Sequence, residues 1–387
     1  MEWLIDKILK VLFGSVYLPA LLLNELMFRF GKNRIAVGFA NDHFEGNPKQ
    51  IFLFLNNSIR CYWVTNDRHT LRELRNKGFE AYYYWNPGTR LLRPSAWVVS
   101  HPNRIPLKRK TCLWIHTHHS IPFKAVLNSS LLEDMSQYDI HFLTADMVRD
   151  HFRDKVKVDE ETLKVVGQPL VDPLIRDNFV RADILRVVGL DSGKKTVLYA
   201  PTWSHDFEDP HKKSLFPKKW AQSQEGLLEE ICRFIEGMGL NFIIRLHRLA
   251  DMWWSDEFDK LIKKSTNVIK MSSASHPDSA PYLSVADVLV TDYSSIANDY
   301  IVLNRPIIYL EPDYELFEDG FVVPPSFRAG DIVNNKEEFF AAVVNSLEDP
   351  QKYSARRKEI AARLHIGLDG KSTERAAQVI LENIERR

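Results

Sequence analysis

The strongest constraint on this chain is a repeated alternation. Short apolar runs recur, each followed by a polar turn and then a stretch of helical periodicity. In the first half, Arg34–Phe39, Cys61–Thr65, Ala81–Tyr84, Ala96–Ser100, Lys110–Ile115, Ile140–Leu143 and Leu163–Val166 read as strands, with helices predicted over Gln50–Asn57 and His69–Lys77. The second half restarts the rhythm with Lys195–Ala200, Phe242–Leu246, Val268–Lys270, Val288–Thr291 and Pro306–Leu310 as strands. Its predicted helices are Gly226–Gly237, Trp254–Lys264 and Ala280–Ser284. Such a pattern requires parallel βαβ units with right-handed crossovers. The halves meet at Gly167–Ser192, where Pro169, Pro173 and Gly189 interrupt the pattern around a short helix. A chain of 387 residues is too long for one ordinary core. The expected fold class is therefore α/β, with two Rossmann-like domains in tandem.

Composition removes several function classes. Lys plus Arg and Asp plus Glu both total 51, so no basic excess points to nucleic acid. Cys61, Cys112 and Cys232 are odd in number and widely spaced, which reads as reduced thiols in a cytosolic compartment. The sequence has no Gly-x-Gly-x-x-Gly and no Walker A motif, which argues against a dinucleotide oxidoreductase or an ATPase. It has no Asp-x-Asp either, so no dedicated metal site for a diphosphate is indicated.

The first 30 residues read differently. Their longest uncharged run, Val11–Asn24, has 14 residues and contains Pro19. A spanning helix needs about 20 apolar residues, and proline breaks or kinks a helix. Glu2 and Asp6 do not suit a signal peptide. Trp3, Leu4, Lys7, Ile8, Lys10, Val11 and Leu12 fit an amphipathic helix in a membrane interface, and a helix packed on the first domain is the alternative.

Polar chemistry gathers at predicted strand ends. Val288-Leu289-Val290 runs into Thr291-Asp292-Tyr293-Ser294-Ser295, where hydroxyls and backbone N–H groups open a helix. That arrangement suits an anion, although Asp292 and Ser294 are also ordinary capping residues. Arg245 and His247 close another strand and share one of its faces. In an α/β protein, two such strand ends point to a phosphate or nucleotide at the carboxyl edge of the sheet. His116, His118 and His119 follow a first-half strand. A zinc site usually adds a ligand at regular helical spacing, and none is apparent there, so no metal ligands are assigned.

Several segments in order resemble the CDP-glycerol glycerophosphotransferase family of teichoic acid and capsule polymer synthesis. They are His119-Ser120-Ile121-Pro122-Phe123-Lys124, Gly167-Gln168-Pro169-Leu170-Val171-Asp172, Tyr199-Ala200-Pro201-Thr202-Trp203, Arg245-Leu246-His247, Thr291-Asp292-Tyr293-Ser294-Ser295 and Leu368-Asp369-Gly370-Lys371-Ser372. The resemblance covers roughly residues 30–385. Ser120 stands where the family has Gly, and Leu170 where it has Arg.

The resemblance implies a GT-B fold with four parts. Residues 1–30 form a membrane-associating helical segment, 31–175 an acceptor-side domain and 176–370 a donor-binding domain. Residues 371–387 form a C-terminal helix that crosses back to the first domain. The implied reaction moves glycerol phosphate from CDP-glycerol to a hydroxyl of a lipid-linked or polymer acceptor, releasing CMP. The implied setting is peripheral, on the cytoplasmic face of the cell membrane. A hydroxyl nucleophile needs a general base, and developing phosphoryl charge needs donors placed in advance. His119 is the candidate base and His247 the phosphate stabiliser. Arg245, Thr202, Asp292, Ser294, Ser295 and Glu311 are the donor-binding candidates, the serines and their helix N–H groups gripping the pyrophosphate. Lys124, Trp203 and Asp299 are further candidates, although the position of Asp299 reads as a solvated helix face. No cofactor is required, and Mg²⁺ carried on the donor diphosphate is compatible with the sequence. Alternatives are CDP-ribitol as donor, a nucleotide-sugar glycosyltransferase of the same fold, and a non-catalytic module of a polymer-assembly complex.

Overall fold

The computed structural model describes residues 35–86, 88–89, 92–101, 112–123, 135–202, 215–246, 254, 256–272, 276–311 and 321–386. The N-terminal segment and the candidates Lys124, Trp203 and His247 lie outside the described residues.

Two parallel sheets carry the chain. The first contains β1 (Ala36–Ala40), β2 (Arg60–Thr65), β3 (Ala81–Tyr83), β4 (Ala96–Val99), β5 (Leu113–His116), β6 (Ile140–Leu143) and β7 (Leu163–Val165), in the order β3-β2-β1-β4-β5-β6-β7. The second contains β8 (Thr196–Tyr199), β9 (Asn241–Leu246), β10 (Val268–Ser272), β11 (Val288–Thr291), β12 (Ile307–Leu310) and β13 (Asp331–Val333), in the order β10-β9-β8-β11-β12-β13. Every pairing is parallel. Strands covered by helices on both faces read as continuous apolar runs, as β8, β9, β11 and β12 do, and all four are buried throughout. Strand β13 had no such signal. It is three residues long, and Ile332 is exposed at the sheet edge.

Each sheet packs its own core. Under the first, Phe39, Phe44, Phe52 and Trp63 form a ring cluster, with Phe39 and Trp63 parallel at 5.8 Å. Gly38 lies opposite Trp97 in β4, and a Cβ there would come within 2.6 Å of the indole, so the register of β1 and β4 depends on a glycine. A further apolar cluster joins the halves. It includes Ile121, Phe123 and Leu143 from the first and Leu198, Ile243, Leu289 and Tyr309 from the second. The helix Ser372–Glu385 buries Ala376, Ala377 and Ile380 in the core of the first sheet. All three cysteines are free and buried, and burial pushes the Cys61 thiol up to about 12 and Cys232 to about 11. No helix among the described residues is long and apolar enough to cross a membrane.

Candidate active site

In an open parallel sheet, ligands bind beyond the carboxyl ends of the strands where the order reverses. In the second sheet that point lies between β8 and β11. Thr202 follows one strand and Asp292 the other, so topology brings together candidates 90 residues apart. The Asp292 carboxylate accepts from the Thr202 N–H at 2.8 Å, the Thr202 hydroxyl at 2.6 Å and the Ser294 N–H at 3.0 Å. Burial raises the pKa of Asp292, and these donors oppose the rise. The Ser294 N–H is thus taken up by Asp292. The Ser295 and Ile296 N–H groups and the Ser294 and Ser295 hydroxyls donate no hydrogen bond among the described residues, so they are available to a ligand.

The neighbouring strand ends carry different arrangements. After β12, Glu311 accepts from Arg328 Nη1 at 2.6 Å and from the Tyr293 hydroxyl at 3.4 Å, while the Arg328 guanidinium lies 4.6 Å over the Tyr293 ring. Neither Tyr293 nor Arg328 was singled out from sequence, because one reads as a loop aromatic and the other as a surface charge. Arg245, at the end of β9, is buried. Its amino groups donate to the His276 and Pro277 carbonyls at 2.6 and 2.8 Å, bracing the loop after β10.

His119 lies on the loop that leaves β5 in the first sheet. Asn47 holds this loop. Its Nδ2 donates to the Thr117 and His118 carbonyls at 3.1 and 3.0 Å, and its Oδ1 accepts from the Leu170 N–H at 2.9 Å. The His119 ring stacks on His101 at 4.9 Å. Surrounding protein lowers its pKa by desolvation, and a hydrogen bond to the Ser100 backbone works the other way. The residue is exposed overall, which weakens the desolvation. His119 is therefore neutral near pH 7, the form a general base needs. His116 and His118 pack instead with His141, Tyr138 and Phe152.

One residue past His119, the two halves are joined. The Ser120 hydroxyl donates to Asp299 Oδ1 at 2.9 Å, and the Ser295 carbonyl is its alternative acceptor at 3.4 Å. Gln168 Nε2 donates to the same Asp299 oxygen at 2.7 Å. Asn298 Nδ2 donates to the Ile121 carbonyl at 2.7 Å, and Phe123 meets the Tyr293 ring edge-on at 5.9 Å. Asp299 is therefore not on a solvated face. It is 4% exposed, and burial pushes its carboxyl up to about 7. The helical spacing that suggested solvent is correct locally, but the face is covered by a loop of the other half. Ser120, next to the candidate base, is thus tied to the segment that carries the candidate phosphate donors.

Over residues 24–382 the chain matches the CDP-glycerol:poly(glycerophosphate) glycerophosphotransferase family. It belongs to that family. Among its relatives is the teichoic acid poly(glycerol phosphate) polymerase of Bacillus spizizenii, 23% identical over 76% of this chain and 77% of the relative. The teichoic acid glycerol-phosphate primase of Bacillus subtilis is 27% identical over 64% of this chain, a match that spans only 58% of the primase. The wall teichoic acid polymerase TagF has a similar structure, with a TM-score of 0.75 at 19% identity, covering 99% of this chain and 98% of the other. The fold is of the GT-B type, and the chain is a transferase.

Two of the segments that carried the family resemblance serve the scaffold. Asp172 accepts from the Ser372 N–H at 3.1 Å, the Thr373 N–H at 2.7 Å and the Thr373 hydroxyl at 2.6 Å, capping the final helix from 200 residues away. Gly167 has a φ of +90°, and a Cβ there would lie 2.4 Å from the Ser372 hydroxyl oxygen. Leu170, where the family has arginine, is buried in the apolar cluster shared by the halves. Ser120, where the family has glycine, supplies the hydroxyl that reaches Asp299.

Proposed function

We propose that this glycerophosphotransferase moves glycerol phosphate from CDP-glycerol to a hydroxyl of a teichoic acid primer or polymer. The observation that carries the reading is the Ser120–Asp299 junction, which puts His119 beside the loop of Ser294 and Ser295. In the proposed step the acceptor oxygen attacks the β-phosphorus. His119 takes the hydroxyl proton, the bond from the β-phosphorus to the bridging oxygen breaks, and CMP leaves with that oxygen. Asp292 orients Thr202 towards the diphosphate, and the Ser294 and Ser295 hydroxyls and the Ser295 and Ile296 N–H groups bind phosphate oxygens. Sequence assigns charge stabilisation at the phosphorus to His247. The chain itself needs no diphosphate-binding metal, and a donor carrying Mg²⁺ on its diphosphate is compatible with the site. Family membership supports this donor, and a TagF variant has been studied after soaking with CDPG. The site works at the cytoplasmic membrane face, with residues 1–30 lying in the interface.

The test is CMP release by the full chain from CDP-glycerol with a lipid-linked acceptor, with CDP-ribitol and UDP-sugars as parallel donors. Product sizing separates single addition from chain growth. His119→Ala should lower kcat by roughly 10²–10⁴ while leaving CDP-glycerol affinity near wild type. Near wild-type turnover by that variant, or turnover of a UDP-sugar in place of CDP-glycerol, would overturn the assignment.

A further inference from the structure

Three histidines outside the candidate active site form a cluster that the proposed reaction does not use. His116 ends β5, and His141 is its register partner in β6, so both lie at the same level of adjacent parallel strands. His118 turns back on them two residues later, with its backbone in the left-handed region at φ 52°. The His116 and His118 ring centroids are 4.1 Å apart, and His141 lies 5.9 and 5.6 Å from them. One nitrogen from each ring can be chosen so that all lie within 4.8 Å of one another.

The hydrogen bonding of these rings is unusual for a buried site. His116 is 3% exposed and His141 fully buried. Both nitrogens of His116, Nε2 of His118 and Nδ1 of His141 are buried without a protein partner. Buried polar atoms in folded proteins are almost always paired, so orphans gathered in one place need an explanation. The other nitrogen of His141, Nε2, lies 3.0 Å from the Met135 carbonyl. A carbonyl only accepts, so Nε2 carries the proton and Nδ1 presents a bare lone pair to the cluster. Metal-binding histidines are commonly fixed this way, with the second ring nitrogen donating to a carbonyl. Tyr138 and Phe152 wall the cluster with ring contacts of 4.8 Å to His116 and His118.

We propose that His116, His118 and His141 bind one divalent transition metal ion, zinc by preference, with a fourth position left for water. Three imidazoles suit zinc among the biological cations, and an all-nitrogen set excludes magnesium and calcium. Tetrahedral zinc with bonds of about 2.0–2.1 Å sets ligand nitrogens roughly 3.3 Å apart, so the rings close in slightly on the ion. The ion ties β5 to β6 and holds His118 in its left-handed conformation. Backbone strain of that kind persists where surrounding contacts over-determine it. Sequence spacing missed this set because its third member comes from the neighbouring strand and not from helical spacing. The site stands on its own geometry, whatever reaction the candidate active site performs.

The test uses untagged full-length protein stripped with a chelator and titrated with zinc chloride by calorimetry, then with cobalt(II) chloride by visible absorption. The expected result is about one equivalent bound, a tetrahedral cobalt spectrum and a zinc-dependent rise in Tm. His141→Phe and His118→Asn should each weaken zinc by more than the roughly 10–100-fold that loss of an outer partner costs. Asparagine tolerates the left-handed region, so His118→Asn folds even if the core change does not. Absence of stoichiometric zinc binding to the wild-type chain, or unchanged zinc affinity in folded His118→Asn, would overturn the site.

Discussion

Replacing Asp299 with asparagine should make the protein more stable at neutral and alkaline pH and remove a pH dependence that the wild type carries. In the folded chain burial moves this carboxyl from an ordinary 3.8 to about 7. The folded state therefore holds a proton that the unfolded state releases between these values. Stability attributable to Asp299 is fully present below about pH 4, falls as pH rises through about 7, and levels off beyond it. At about 1.36 kcal/mol for each tenfold in proton affinity, the whole window is worth roughly 4 kcal/mol, and the part between pH 5 and 7 roughly 2 kcal/mol. Asparagine keeps an Oδ1 that accepts from Ser120 and Gln168, so the junction geometry survives while the buried charge is lost. The assay is thermal unfolding of both proteins from pH 5 to 8 in matched ionic strength. At roughly 2 °C per kcal/mol for a domain of about 200 residues, the variant's advantage should widen by several degrees across that range. Parallel Tm–pH curves for the two proteins would refute the argument, because the carboxyl would then titrate alike in the folded and unfolded chains.

Three further outcomes follow from the geometry. Asp172→Ala should lower stability by about 0.5–2 kcal/mol through loss of the cap on the Ser372–Glu385 helix, read as a fall in Tm with CDP-glycerol affinity unchanged; a weakened donor affinity would place Asp172 in the site instead. Ser120→Gly removes a hydrogen bond to a carboxylate across the junction, so kcat should fall while the isolated CMP affinity holds, and full activity would show that Gln168 alone secures the loop. Deleting residues 1–30 should reduce pelleting with anionic vesicles and lower activity on a lipid-linked acceptor while sparing a soluble analogue; equal pelleting by both proteins would assign the segment to the first domain.

Sequence alone determined what each local segment would become. Apolar runs too short for helices and bounded by turns could only be buried parallel strands, and nearly all of both sheets was legible in this way. Chemistry at the ends of β5, β8 and β11 was legible for the same reason, since polar residues directly after a buried strand must sit at the sheet's carboxyl edge. Tertiary structure decided what those residues meet. Asp299 looked solvated because periodicity reports one helix, while the covering Ser120 lies 179 residues away and Gln168 lies 131 away. Asp172 sits in a segment of the family resemblance, yet its carboxylate caps a helix 200 residues on. His116 and His118 had no third ligand at a regular spacing until strand pairing placed His141 beside them. Local pattern encodes burial and conformation, whereas hydrogen-bond partners across the halves depend on crossover connections that bring distant strand ends to one edge. That is a property of topology, and no window of sequence contains it.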